Sequence, residues 1–220
     1  MTDMRRLVSA LYLCMAFSAP CAVEARSVDE RVYLVPAGAE DARIVEKIKE
    51  ALPGSFPMAV KAAVEPEREM PRHSYDPSRK QYDARIALDE LSPRVRISPE
   101  MERALFITDA DLFVPEKDFV FGLSDKDKGA SIMSLKRLRN EFYGAKADER
   151  AFIGRAVNEA LRRLGYSWGL SGCPDRRCAM YTPEKMTDDT VSRARFCLDC
   201  QIRLRRRYSG SLLGPVSGAK

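Results

Sequence analysis

Four cysteines near the carboxyl terminus constrain the fold of this 220-residue chain more than any other feature of its sequence. Cys173, Cys178, Cys197 and Cys200 form the pattern C-x4-C-x18-C-x2-C, in which two close pairs are separated by a loop. A tetrahedral zinc ion takes four thiolate ligands at about 2.3 Å, and each close pair can supply two of them. Because four thiolates fill the coordination shell, we expect one structural zinc ion that holds residues 173–200 in place.

Residues 1–25 have the parts of a secretory signal peptide. Arg5 and Arg6 precede an apolar stretch over residues 7–19, and small residues precede a cleavage site after Ala25. The apolar stretch is shorter than the roughly 20 residues that span a bilayer, so we expect no permanent membrane anchor. The sequence therefore predicts a periplasmic or secreted protein. A cytoplasmic protein with a misassigned start codon is the alternative.

Export leaves the chemical state of the four cysteines open. Oxidising compartments favour disulfide bonds, so two disulfides stand as an alternative to the zinc ion. A redox role for Cys197-Leu198-Asp199-Cys200 is disfavoured, because the segment does not follow a thioredoxin-like strand-to-helix pattern.

The content of histidine and of charged residues excludes several classes of function. His73 is the single histidine, which excludes an all-histidine zinc site and the two-histidine helix of metalloproteases. It lies in a charged segment without a nucleophile motif, and we expect it to be an exposed residue with no special role.

The net charge of +5 comes from 37 basic and 32 acidic residues that are interleaved, which disfavours nucleic-acid binding. The basic run over residues 203–207 is typical of a solvated tail.

Hydrophobic patterning predicts an α/β (α+β) fold, with a mixed sheet packed against helices in a single domain over residues 26–207. A strand over 31–36 precedes a helix that begins near Asp41 and ends at Pro53-Gly54. Further strands are predicted at residues 104–108, 113–114, 119–122 and 130–135. We expect residues 66–99 to be a surface connection with one helix over 84–91, and residues 208–220 to be a flexible tail. The strongest helix carries apolar residues from Phe152 to Leu164, and Gly165 is expected to bend or end it.

Several motifs resemble the archaemetzincins, a family of metzincin-like zinc metallopeptidases. Their pattern H-E-x-x-H-x-x-G-x-x-H-C-x4-C-x-M, followed by C-x-x-C, is similar to residues 162–180 followed by Cys197 and Cys200. The likeness covers roughly residues 31–207. It extends to these upstream segments: Leu34-Val35-Pro36, Tyr75-Asp76-Pro77, Gln81-Tyr82, residues 108–115, Phe119-Val120-Phe121-Gly122 and Glu141-Phe142-Tyr143-Gly144.

The catalytic positions of that pattern are replaced in this chain. The four cysteines match, as do Gly169, which corresponds to the family's turn glycine, and Met180, at its methionine turn. Arg162, Tyr166 and Gly172 stand where the family has its three zinc-binding histidines, and Arg163 replaces the glutamate that serves as general base. A protonated guanidinium has no lone pair for a metal ion and cannot accept a proton from water. The resemblance therefore implies a member of the family with a degenerate catalytic motif.

The leading hypothesis is a catalytically inactive archaemetzincin-like protein that keeps the four-cysteine zinc site and a peptide-binding cleft. Peptide binding along an edge strand depends on backbone hydrogen bonds, and Arg162 and Arg163 would favour a peptide or protein with acidic groups. An active zinc metallopeptidase with non-histidine ligands is one alternative, with these candidate oxygen ligands: Glu159, Asp109, Asp111 and Tyr166. An exported structural or interaction protein with two disulfides is the other. Trp168 and Tyr143 are expected to be core residues.

Overall fold

A computed structural model describes residues 30–212, apart from Glu40, Glu100 and residues 183–194. The predicted signal peptide and residues 213–220 lie outside the described residues. The strands are β1 (Glu30–Pro36), β2 (Val60–Val64), β3 (Tyr75–Asp76), β4 (Gln81–Asp83), β5 (Glu102–Thr108), β6 (Leu112–Val114), β7 (Lys117–Val120), β8 (Gly122–Asp125) and β9 (Ala130–Ser134). The helices are α1 (Ala42–Ala51), α2 (Ala84–Leu91), α3 (Glu149–Ser167) and α4 (Leu198–Leu212).

A five-stranded mixed sheet in the order β2-β1-β5-β9-β8 forms the centre of the fold, as the sequence predicts. The first four strands in this order are parallel, and β8 runs antiparallel to β9 at one edge. Parallel strands need cover on both faces. On one face α1 and α3 pack against β1 and β5, through residues such as Ile48, Leu161 and Leu105. On the other face α2 packs through Leu88 against Phe106.

The helices begin where the sequence supplies an acidic cap. Asp41, Asp83 and Asp148 lie at the amino-terminal caps of α1, α2 and α3, and each side chain accepts a hydrogen bond from a backbone N–H of the first turn. These bonds satisfy donors that have no partner within the helix. The predicted helices over 84–91 and around residues 152–164 are confirmed.

The expectation that residues 66–99 form only a surface connection is wrong in part. This segment contributes β3 and β4 to a second sheet of order β3-β4-β6-β7, and Ala84, Leu88 and Leu91 of α2 are buried. The two short strands were missed because two or three residues are too few to show an alternating apolar pattern.

Two further expectations about helix ends are corrected by the structure. Helix α3 runs through Gly165 and ends at Ser167, and Gly169 turns the chain away two residues later with a φ of +80°, which glycine adopts readily. Helix α4 continues to Leu212, so it contains the basic run 203–207 and the first five residues of the segment expected to be a tail.

Within the described residues, no helix combines the length and the apolar character that crossing a membrane requires.

Candidate functional site

The carboxyl-terminal half of α3 places four chemically important side chains at one end of the sheet. Glu159, Arg162, Arg163 and Tyr166 follow one another at helical spacing, so all four lie within two turns. Glu159 is 1% exposed and Arg162 is 8% exposed, whereas Tyr166 is partly exposed. The residues that replace two of the family's histidines and its glutamate are therefore next to one another at the inner side of the helix.

Arg162 is held by a buried network of hydrogen bonds. One Nη1–H donates to the carboxylate of Glu159, and the Nε–H donates to the carbonyl oxygen of Ala179 at 3.0 Å. Glu159 is an acceptor only, and it also lies against the second arginine. The guanidinium of Arg162 thus supplies the positive charge that a buried carboxylate requires.

Arg163 joins α3 to the edge strand β8. Its Nη1–H donates to the carbonyl oxygen of Gly122 at 2.7 Å, and its Nε lies 2.8 Å from Glu159 at an angle that is outside hydrogen-bond geometry. Burial lowers the pKa of Arg163, an effect that the Glu159 charge opposes and the Arg162 charge reinforces. The residue at the general-base position therefore carries a charge that is committed to structural contacts.

Gly122 is the residue that allows this close approach. A Cβ at this position would overlap the carbonyl oxygen of Ile132 and would lie 2.8 Å from Cδ of Arg163. The motif Phe119-Val120-Phe121-Gly122 was recognised in the sequence, but the need for glycine was not. A glycine inside a strand pattern is the signal that could have indicated it.

Tyr166 and Gly172 lie close together, as the family pattern implies for two zinc-binding positions. A Cβ built at Gly172 would lie 3.7 Å from the phenolic oxygen of Tyr166. That oxygen is 3.4 Å from Oγ1 of Thr182, and the ring stacks on Arg163 with 4.9 Å between guanidinium carbon and ring centroid. Together with Arg162, these positions offer one phenol, two guanidinium groups and no imidazole. This set does not fit a zinc ion.

A cleft of about 760 Å³ opens beside these residues. One wall follows the chain from Val114 to Leu123, which includes β7 and the start of β8, and the other is formed by Arg162, Arg163, Tyr166 and Thr182. Lys117 and Asp118 are exposed along the first wall. The cleft therefore runs along an edge of strand structure and meets the two arginines at one end.

The four cysteines form a cluster that fits a tetrahedral metal ion. All four Sγ atoms lie within 4.8 Å of one another, and those of Cys173 and Cys197 are 3.7 Å apart. Four sulfurs about 2.3 Å from a shared centre are separated by distances of this size. The structure has no disulfide among them, and burial raises the pKa of the Cys178 thiol to about 11.

The cysteine cluster fixes the end of the chain to the helix of the degenerate site. Met180 packs against Gly165 of α3, where a Cβ would overlap Sδ of Met180 and would lie 3.2 Å from the ring of Phe196. Met180 and Phe196 flank the second and third cysteines and are 0% and 1% exposed. This packing explains why Gly165 lies inside α3 instead of ending it.

Other candidate ligands are not brought to the degenerate site. Asp111 pairs with Arg137 through two contacts of 2.7 and 2.8 Å, and Asp109 lies 3.4 Å from Arg139. Among the described residues, the four cysteines are the only group of three or more histidine, cysteine or acidic side chains close enough to share a metal ion. The structure does not assemble the oxygen-ligand set.

The remaining predictions have mixed outcomes. His73 is exposed as expected, and Trp168 is a core residue that is 8% exposed. Tyr143 was expected in the core, but it is 52% exposed, because it lies in a 3-10 turn at the surface. Neither Trp168 nor Tyr143 lines the cleft beside Tyr166.

Comparisons with known proteins identify relatives of this chain. The profile of the family described as peptidase family M54 matches residues 29–206. The archaemetzincin of Pyrococcus furiosus is 33% identical over 135 residues, which cover 61% of this chain and 70% of that protein. The archaemetzincin of Thermococcus kodakarensis is 28% identical, with coverage of 80% and 95%.

Solved structures show the same similarity. The crystal structure of archaemetzincin from Methanopyrus kandleri matches this chain with a TM-score of 0.72 and 27% sequence identity. The matched region covers 86% of this chain and 100% of the Methanopyrus kandleri chain. A zinc-dependent peptidase from Methanocorpusculum labreanum has a TM-score of 0.69 and 30% identity, with coverage of 79% and 99%.

Proposed function

The chain belongs to peptidase family M54, the archaemetzincins, and on that premise we propose that it is a member that holds one structural zinc ion and does not hydrolyse peptides. The observation that carries the proposal is the buried pair of Arg162 and Glu159, with Arg162 also bonded to the carbonyl of Ala179. A guanidinium at the first histidine position repels a metal cation, and the charge of Glu159 is already balanced.

The loss of the general base supports the same conclusion. Hydrolysis by the family's chemistry needs a group that takes a proton from water, and Arg163 is a donor that bonds to Gly122. The single histidine of the chain, His73, lies at the surface and faces Glu90 at 3.8 Å. The exposed carboxylates that line the cleft, Glu116 and Asp118, belong to the wall opposite Arg163.

Cys173, Cys178, Cys197 and Cys200 would hold the zinc ion, which would cross-link the loop after α3 to the start of α4. Four thiolates leave no vacancy for water or substrate, so the ion stabilises the fold without taking part in a reaction.

The cleft is the proposed binding site for a peptide or protein with acidic groups. Its length along β7 suits an extended segment, and Lys117, which lies between the acidic Glu116 and Asp118, is the exposed basic residue of its first wall. Because Arg162 is bound to Glu159, Arg162→Ala would disturb the fold as well as any ligand. Lys117→Ala is the cleaner variant, since Lys117 is exposed. We expect an acidic peptide to bind more weakly to both variants, and unchanged affinity in both would remove the cleft from consideration.

Zinc counting combined with a hydrolysis assay tests the proposed function. The purified protein should contain one zinc ion per chain and should leave casein intact, while the zinc-dependent peptidase from Methanocorpusculum labreanum is assayed in parallel as the reference. Two zinc ions with chelator-sensitive cleavage would establish an active enzyme with unusual ligands. A protein that contains no zinc and no free thiols would show that the four cysteines form two disulfides.

We also propose that residues 1–25 are removed on export and that residues 26–207 form one periplasmic or secreted domain. The parts of a signal peptide in the sequence support this, and the four cysteines are compatible with either compartment. A fusion of residues 1–25 to an export-dependent reporter should be active outside the cytoplasm, and reporter activity confined to the cytoplasm would contradict the proposal.

A further inference from the structure

Helix α4 has two faces of different character. Cys200 and Leu204 lie four residues apart and are each 2% exposed, which anchors this face to the core and to the cysteine cluster. On the opposite face Leu198 is 71% exposed and Ile202 is 40% exposed. Two aliphatic side chains at positions i and i+4 therefore form a small apolar stripe that faces solvent.

Basic side chains continue this stripe. Arg205 and Arg206 are exposed and follow Ile202 by three and four residues, which places them on the same side of the helix. Arg203 lies to one side, where it pairs with Asp199 at 2.7 Å. No ion pair occupies Arg205 or Arg206 among the described residues, so their charge is free to meet an external anion.

Positive charge is concentrated in this part of the molecule. Residues 173–182 and 195–206 contain six basic and two acidic side chains, which is a net charge of +4 out of the +5 of the whole chain. The exposed Arg176, Arg177 and Arg195 lie in the loops that carry the cysteines. The rest of the chain is nearly neutral, so α4 and these loops form the electrostatically distinct end of the protein.

We propose that the exposed face of α4 docks on the surface of an anionic lipid bilayer. A helix that presents aliphatic residues flanked by arginines lies in a membrane interface, where the aliphatic groups enter the headgroup region and the arginines meet lipid phosphates. Nucleic acid would engage the arginines but would leave Leu198 and Ile202 exposed to water, which disfavours it as the partner. The cysteine cluster supports this role, because it fixes the orientation of α4 on the domain.

Co-sedimentation with lipid vesicles tests the proposal. The full chain should bind vesicles of equimolar phosphatidylglycerol and phosphatidylcholine more strongly than vesicles of phosphatidylcholine alone, and added salt should weaken the binding. Removing each arginine should lower affinity about fivefold. Arg205→Glu with Arg206→Glu should therefore lower it by at least about 25-fold. Leu198→Ser with Ile202→Ser should weaken binding while leaving the salt dependence in place.

A matched variant separates local docking from total charge. Arg96→Glu with Arg150→Glu changes the net charge by the same amount at exposed positions outside α4, and it should bind like the wild type. All variants share residues 1–25, so any contribution of that segment is common to them. Equal binding of the α4 charge variant and its control, or no effect of the serine variant, would overturn the proposal. Unchanged zinc content would show that each variant is folded.

Discussion

At the residue scale, Glu159 determines how the degenerate site is stabilised. This residue is 1% exposed, and its carboxylate contacts both Arg162 and Arg163. A buried ion pair contributes little net stability compared with an apolar replacement, but removing one partner leaves uncompensated charge. The stability of the site therefore depends on Glu159, Arg162 and Arg163 being present together.

We predict that Glu159→Gln lowers the free energy of unfolding by about 3 kcal/mol, because two buried guanidinium groups lose their counter-charge. Urea denaturation measures this, and Glu141→Gln at an exposed position should change stability by no more than about 0.5 kcal/mol. Adding Arg162→Met to Glu159→Gln should recover part of the loss, since the excess positive charge is reduced. A Glu159→Gln variant as stable as the wild type would show that the network is not important for stability.

Gly122 is a second residue on which the stability of the site depends, because only a residue without a side chain fits there. We predict that Gly122→Ala lowers stability by about 1 to 3 kcal/mol, because its Cβ would force β8 away from Ile132 and Arg163. Gly54→Ala is the control, since a Cβ there has nothing within 4 Å. It should be neutral or slightly stabilising. Thermal melting of the two variants distinguishes steric overlap from a general effect of replacing glycine, and similar melting curves would count against the overlap.

At the element scale, long elements with a clear period were predictable from the sequence and short ones were not. The period of α3 and the buried strands around Phe106 and Ile132 gave strong signals, and the structure contains them. Strands β3 and β4 consist of two and three residues, so tertiary pairing alone defines them. Helix α4 was missed because a run of arginines was interpreted as a tail, although Leu204 and Cys200 give it one buried face.

The cysteine cluster should control the stability of α4. We predict that Cys200→Ser lowers zinc content below one ion per chain and lowers the free energy of unfolding by about 3 kcal/mol or more, because the ion loses a ligand. Limited digestion with trypsin measures the local effect, since Arg203, Arg205 and Arg206 are exposed cleavage sites on α4. Cleavage there should accelerate in Cys200→Ser, and chelation of the wild type should reproduce it.

Ser171→Ala serves as the control for that experiment, because Ser171 is exposed and lies two residues before Cys173. It should keep both the zinc content and the digestion rate of the wild type. If a reductant accelerates cleavage and a chelator does not, the cluster is held by disulfides instead of zinc.

At the scale of the whole molecule, the proposed function separates the scaffold of the family, which the chain keeps, from the chemistry of the family, which it would have lost. The cysteine pattern was recognisable from its spacing, and Met180 from the resemblance to the family. The sequence also predicted that Arg162, Arg163, Tyr166 and Gly172 occupy the family's catalytic positions, and the structure places the first three on α3. The sequence could not predict the hydrogen bonds that hold the two arginines. The contacts of Arg162 with Ala179 and of Arg163 with Gly122 join residues that are 17 and 41 positions apart in the chain.

This separation predicts that the scaffold can accept the lost site again. The variant Arg162→His, Arg163→Glu, Tyr166→His and Gly172→His should bind a second zinc ion, because it restores the family's motif, with its first two histidines one turn apart on α3 and a Cβ at Gly172 3.7 Å from the phenolic oxygen of Tyr166. The dication would also supply the positive charge that Glu159 loses with the two arginines. Metal analysis should show two zinc ions per chain, and chelator-sensitive casein hydrolysis should appear at a rate below that of the zinc-dependent peptidase from Methanocorpusculum labreanum.

A partial variant with only Arg162→His and Tyr166→His provides the comparison. Two imidazoles without the third ligand and the general base should bind zinc weakly and should not support hydrolysis. A folded four-residue variant that holds one zinc ion and leaves casein intact would contradict the prediction. In that case, the inactivity would depend on differences spread over the cleft, such as the packing of Gly122 against α3, as well as on the four replaced positions.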